Sequence, residues 1–141
     1  MGGFNSADEC REVIDRTFGL MSTDPEIGPK LHEAQTPQRF EFPDLDLVVN
    51  ITYRDEVADG HYLQWEWSDD VAWEAVVWMT MNSDVANRYF QGKENIAIAL
   101  ARGRIKSKGN VKRALALIPI TKPLFGRYRE MIEAEFPHLV E

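Results

Sequence analysis

The hydrophobic period of this chain changes twice, and that double change restricts its fold more than any single motif. Apolar residues recur at helical spacing as far as about residue 34, at every second position from about 39 to 81, and at helical spacing again from 82 onward. Alternation buries one face of a strand, whereas a spacing of three and four buries one stripe of a helix. Neither surface is stable alone. The pattern predicts an α+β layered fold in which an antiparallel meander is covered by the helices that precede and follow it.

Local signals place the elements. Ser6-Ala7-Asp8-Glu9 reads as a capping box opening a helix over 6–21, with Cys10, Val13, Ile14, Phe18 and Met21 on its apolar face. Asp24-Pro25 starts a short second helix carrying Ile27, Leu31 and Ala34, weakened by Gly28 and Pro29. Phe40 and Phe42, then Leu45, Leu47, Val49, Ile51 and Tyr53, alternate as strand residues do. Asp59-Gly60 is a turn signal, and Leu63, Trp65 and Trp67 give the next strand one apolar face. After the turn at Ser68-Asp69-Asp70, the run from Trp73 to Met81 is apolar enough to predict a strand covered on both faces.

Beyond it, Asn82 or Ser83 caps a helix ended by Gly92, and Asn95 caps another ended by Gly103. Arg104 to Lys108 reads as a short strand with Ile105 and Ser107 on one face and three cations on the other. A segment with Ala114, Leu115, Leu117 and Ile118 is expected to stop at Pro119. The last helix should run from about Pro123 to Phe136, with Leu124, Phe125, Tyr128, Met131, Ile132 and Phe136 as its apolar stripe.

Bulk properties narrow the class. At 141 residues and 44% hydrophobic content the chain suits one domain, 1–141, with a buried core. No stretch has the length and apolarity of a membrane-spanning helix, and the N-terminus lacks a secretory pattern, so a cytoplasmic location is expected. Met1-Gly2-Gly3-Phe4-Asn5-Ser6 matches a myristoylation pattern that is short and often met by chance. A single cysteine excludes internal disulfides and an all-cysteine metal site. The net charge of −7 argues against nucleic acid as a partner, but it hides an asymmetry. Residues 1–84 hold 18 acids and 5 bases, and residues 85–141 hold 5 acids and 11 bases. One edge should be basic. Arg104, Lys106 and Lys108 are candidates for contact with an anionic membrane or an enzyme, or for guarding a sheet edge against aggregation.

Catalytic signatures are lacking. His32, His61 and His138 are scattered, no nucleophile elbow, phosphate loop or dinucleotide fingerprint occurs, and Asp69-Asp70 belongs to a polar turn. Cys10 reads as a small buried hydrophobe. The expectation is a protein that is not an enzyme, with no catalytic residue, no metal and no cofactor. What the chain has instead is four Trp, seven Phe, four Tyr and five Met, an excess that suggests walls around an apolar cavity.

The second half adds a resemblance. Tyr89-Phe90-Gln91-Gly92-Lys93, then Ala99, then Gly103-Arg104-Ile105-Lys106-Ser107-Lys108-Gly109-Asn110, then Ala114-Leu115 and Leu117, is similar to the sterol carrier protein type 2 family. Phe42-Pro43-Asp44-Leu45 is similar too, so the likeness runs over roughly 38–136. It implies an α+β fold with a mostly antiparallel sheet of about five strands, covered by helices, and an apolar cavity between the layers. The ending Pro137-His138-Leu139-Val140-Glu141 has no peroxisomal signal and the early strands are rich in Trp, which suits a bacterial stand-alone member and puts sterol itself in doubt.

The implied function is non-catalytic binding, and intracellular transfer, of a fatty acid, acyl-CoA or sterol-like molecule. The candidate ligand-binding residues are Leu47, Val49, Ile51, Leu63, Trp65, Trp67, Val77 and Met79 on the inward strand faces, with Leu100, Phe125, Tyr128, Met131 and Ile132 from the helices. A register slip of one residue would turn Val76 and Trp78 inward instead. The C-terminal helix is expected either to gate the cavity or to complete the core. The alternatives in function are an accessory protein that presents a hydrophobic substrate or binds a protein partner, and then an enzyme acting in the cavity.

Overall fold

The computed structural model describes residues 3 to 141, so the start of the myristoylation-like pattern, Met1-Gly2, lies outside the described residues. Helix α1, Ala7–Thr23, begins where the capping signal stands. Ser6 Oγ accepts the Glu9 N–H at 3.1 Å, but Glu9 Oε1 reaches past Ser6 to the Asn5 N–H at 2.9 Å. Asp24 Oδ1 accepts the N–H groups of Glu26 and Ile27, starting helix α2 (Ile27–Ala34) despite its Gly and Pro. Gly28 is required there by space, since a Cβ would meet the Ser22 carbonyl oxygen at 2.9 Å and the Tyr62 ring at 2.8 Å.

Strands β1 (Gln38–Phe42), β2 (Leu47–Ala58) and β3 (His61–Glu66) form the expected meander. Asp59 and Gly60 both take positive φ, at 56° and 75°, as a two-residue hairpin turn needs. Strand β4, Val77–Met81, then enters beside β1 in parallel, and β5, Ile105–Gly109, pairs antiparallel with β4. The sheet is mixed but mostly antiparallel, five strands in the order β3-β2-β1-β4-β5. One expectation fails here. Residues 73–76 are outside the strand, and β4 is covered on one face only: Val77, Met79 and Met81 are buried while Trp78 is exposed. Cations occupy both sides of that indole, Arg39 at 4.4 Å and Lys108 at 5.7 Å from the ring centre, which explains how an aromatic stands on a wet face.

Five further helices complete the fold. They are α3 (Ser83–Phe90), α4 (Ile96–Ala101), α5 (Val111–Leu115), α6 (Ile118–Thr121) and α7 (Phe125–Glu135). The N-terminus of α3 is capped from a distance by Asp44, which accepts both the Ser83 N–H and its hydroxyl. Asn95 and Asn110 cap α4 and α5. Pro119 does not stop the chain. It stands at the start of α6, where its fixed φ suits the first turn and no N–H is missed.

Paired positions put Phe40, Phe42, Val49, Ile51, Leu63, Val77, Met79 and Ile105 on one sheet face, against the apolar stripes of α1 and α2. Arg39, Glu41, Trp78, Lys106 and Lys108 take the other. A second apolar cluster of Val13, Tyr128, Ile132, Phe136 and Leu139 joins α7 to the back of α1. Ser22, at the end of α1, seals the β3 edge: its buried hydroxyl oxygen accepts the Tyr62 and Leu63 N–H groups at 3.2 and 3.1 Å. Ser22→Ala strands both donors away from water and should cost roughly 1–3 kcal/mol, read as a lower urea midpoint with an unchanged slope.

Candidate functional site: an apolar cavity under the helices

Between the inner sheet face and the helices lies a cavity of about 90 Å³, walled by Phe18 and Met21 of α1, Phe40 and Met79 of the sheet, and Phe90 and Leu117 from the second half. Its few polar edges come from Gln38, Tyr89 and Thr121, and the Tyr89 hydroxyl is bonded to Thr121 Oγ1 at 2.9 Å. Burial pushes the Tyr89 phenol above its ordinary value, partly offset by that bond. Two smaller apolar voids adjoin it. One of about 60 Å³ shares Phe18, Phe40, Tyr89 and Phe90; the other, of about 20 Å³, shares Met21, Leu31, Gln38, Ile51 and Leu117. The three lie beneath the sheet, the central one sharing these side chains with each neighbour.

The strand residues expected to bind ligand divide into two groups. Ile51 and Met79 line the central cavity, and Ile51 and Leu63 line its smaller neighbour. Leu47, Val49 and Val77 face the same way but pack into the core, as does Leu100 from α4. Trp65 and Trp67 also point inward, yet both indole N–H groups donate to Asp15 Oδ1 of α1, at 2.9 and 2.6 Å. They clamp helix to sheet, with Trp65 edge-on to Phe18. None of the four Trp residues is among the cavity-lining side chains, so the wall consists of Phe, Tyr, Met and aliphatic groups.

The helical residues divide as well. Phe125 borders a surface groove beside α3, and Met131 borders another between α1 and α7. Tyr128 and Ile132 are fully buried in the second cluster, where Tyr128 donates to Asn87 Oδ1 at 2.7 Å. Helix α7 is therefore built into the core instead of lying over an opening. The lining residues that sequence reasoning missed as ligand contacts include Phe18, Met21, Phe40, Tyr89, Ala114 and Leu117; most stood in apolar stripes, which mark burial but not the empty space beside it.

Polar chemistry is dispersed. His32 Nε2 meets the Arg54 carbonyl, His61 meets Ser22, and His138 meets Glu9, three separate places. Cys10 is wholly buried, and burial pushes its thiol up to about 12. Among the described residues no three His, Cys, Asp or Glu side chains gather within reach of one metal ion. Of the basic stripe, Arg104 is bonded to Glu94 at 2.9 Å, leaving Lys106 and Lys108 exposed on the edge strand. No described helix is long and apolar enough to cross a membrane.

The arrangement defines a class: a mixed five-stranded sheet, helices on one face, and an apolar cavity between. That is the fold of sterol carrier protein 2 domains. The ubiquinone synthesis protein UbiJ-SCP2 matches with a TM-score of 0.62 at 6% identity, over 86% of this chain and 96% of that one. Sterol carrier protein 2 from Yarrowia lipolytica, in its apo form, gives 0.55 at 17% identity, over 79% and 88%. The sterol carrier protein domain 2 of Helicoverpa armigera gives 0.56 at 18% identity, over 82% and 90%. The inverting sec-alkylsulfatase Pisa1 from Pseudomonas sp. also matches, at TM-score 0.54 and 16% identity over 65% of this chain, but the chain spans only 14% of that enzyme. No protein-family model and no curated protein matches the sequence. The likeness is one of fold.

Because Ile132 belongs to the α1–α7 cluster and not to the cavity, Ile132→Ala should destabilise the protein by about 2–5 kcal/mol. The loss is read as a lower urea midpoint with an unchanged slope.

Proposed function

We propose that this protein binds and carries an apolar small molecule, a fatty acid, acyl-CoA or sterol-like lipid, in the cavity beneath the sheet, without altering it chemically. The single observation that carries this reading is the row of adjoining apolar voids, whose shared walls are mostly Met, Phe and aliphatic side chains, with Tyr89 and Gln38 among them. Unlike a sealed core, such a row can open by rotamer changes. At about 90 Å³ the central void is well below the roughly 300–1,000 Å³ of a typical small-molecule pocket. Binding therefore requires Met21, Met79 and Phe90 to move aside, and the unbranched, flexible thioether chains of Met21 and Met79 suit that.

The energetics suit reversible carriage. An acyl chain of about 14 methylenes offers roughly 11 kcal/mol on transfer from water, and association and ordering costs bring that toward micromolar affinity. A fluorescent fatty acid should bind saturably and alter the emission of Trp65, which touches the cavity-lining Phe18. Ala114→Leu extends a buried lining residue into the void and should weaken binding at least tenfold with little loss of melting temperature. Absence of saturation up to high micromolar concentration would sink the carrier reading.

The name of one structural neighbour, a ubiquinone synthesis protein, favours a second reading: an accessory protein that presents a hydrophobic substrate to an enzyme. Lipid in an organic extract of the native protein fits both readings, whereas a module that only binds protein should come out empty. Contact with an anionic membrane or an enzyme, if part of either, falls to Lys106 and Lys108, since Arg104 is occupied by Glu94. Co-sedimentation with anionic vesicles, lost in high salt and in the Lys106→Gln/Lys108→Gln variant, is the outcome expected of docking. Indifference to lipid charge leaves these lysines with edge protection alone.

A further inference from the structure

The cavity shares part of its wall with a groove on the surface. Tyr89, Ile96, Leu115 and Ile118 line both the central void and an open groove of about 500 Å³ on the surface beside α3, α4, α5 and α6. The groove has an apolar floor that continues onto Phe125, and its outer part is formed by Lys93 and Lys122. Both lysines are exposed, and among the described residues neither has an ion pair or a side-chain hydrogen bond.

The acid in the groove lining, Glu94, is already committed. Its side chain is 6% exposed, and its two oxygens take Arg88 at 3.2 Å and Arg104 at 2.9 Å. Burial opposes its charge, but those bonds outweigh the penalty and hold its carboxyl below the ordinary value. The far end of the row differs. Thr36, Gln38 and Thr52 supply neutral polar groups there, and the neighbouring Arg113 is spent on the carbonyls of Ala34 and Gln35 that end α2. One mouth thus carries two uncompensated cations at the end of an apolar channel, on a chain whose net charge is −7.

We propose that the ligand is an anionic single-chain amphiphile, held with its tail in the cavity and its carboxylate or phosphate head between Lys93 and Lys122. This deepens the carrier reading and rests on it. Tyr89 separates the two compartments. Its ring packs against Phe90 and Phe125, at 5.3 and 5.2 Å between centroids, and its hydroxyl holds Thr121, so a tail entering from the groove turns this ring aside. The central void, at about 90 Å³, leaves room for no more than one chain. An anionic head gives both lysines a counter-charge; the hydroxyl of a neutral lipid gives them none.

The test compares radiolabelled palmitate, hexadecyl phosphate and hexadecanol, which share a tail, on the wild-type chain and on Lys93→Gln/Lys122→Gln. Both changes are at exposed positions, and circular dichroism with thermal melting checks that the variant is folded. The wild type should hold either anion about tenfold more tightly than the alcohol, with the preference shrinking as salt rises. The double variant should bind all three alike. Palmitate preferred over the phosphate, or the reverse, identifies which anion the mouth accepts. Equal binding of anions and alcohol by the wild type, or a preference that survives in the variant, overturns the inference while leaving the carrier reading intact. Failure of all three lipids to bind overturns both.

Discussion

The parallel pairing of β1 with β4 at the centre of the sheet is the constraint from which the remaining architecture follows. Having left β1 through β2 and β3, the chain must travel from the sheet edge back to its middle. A parallel return is usually made through a helix; here residues 67–76 make it without one. They are tied to the outer face instead, where Asn50 Nδ2 donates to the Ser68 carbonyl at 2.7 Å and Arg39 donates to that of Asp69 at 3.2 Å. The Val76 N–H then meets the Pro37 carbonyl at 3.0 Å and sets β4 in register. Arg39 and Asn50 are directly paired across β1 and β2, so one cross-strand pair holds the return.

That route assigns the two faces. With the crossing strap on the outer side, the inner face is left to the helices, with α7 packed behind α1 instead of on the sheet. Over β3 the cover is long and firm, because α1 supplies seventeen residues and Asp15 grips both Trp65 and Trp67. Over β1 and β4 it consists of short pieces, α5 with five residues and α6 with four, joined by turns. Short helices present fewer side chains per unit of sheet, and their ends carry polar backbone groups that resist deep burial. The central void occurs under this part of the cover, between Met79, Ala114 and Leu117.

Much of this was legible from residue order, for identifiable reasons. The period changes, the Asp59-Gly60 hairpin and the caps at Ser6 and Asn95 are local, set by the residues within a turn of them. Gly109 was also readable as punctuation, though its reason is tertiary: at φ 86° a Cβ there would strike the Val76 carbonyl oxygen at 2.4 Å. Tertiary features were less accessible. The Asp44 cap on α3 spans 39 residues, and Trp78 looked like core until Arg39 and Lys108 were seen beside it. Strand parity oriented Ile51, Leu63 and Met79 correctly toward the helices, but parity cannot tell a filled contact from a void. The aromatic excess was real, and its allocation was not visible: Trp65 and Trp67 fasten a helix, while Phe18, Phe40 and Phe90 border the cavity.

An unfilled cavity has a thermodynamic consequence. At roughly 24 cal/mol per Å³, a void of about 90 Å³ costs the empty protein about 2 kcal/mol, a substantial part of the stability of a small domain. Two features offset it away from the cavity. Tyr128, Ile132 and Leu139 are wholly excluded from water in the second cluster, and Asn87 ties α3 to both Tyr128 and the Leu139 carbonyl. Firm packing is thereby placed behind α1, while the central void lies under α5 and α6. A ligand that fills the void recovers the lost contacts. On the carrier reading, the same defect supplies part of the affinity for an occupant, and a side chain that fills it permanently, such as leucine at position 114, should weaken binding with little loss of melting temperature.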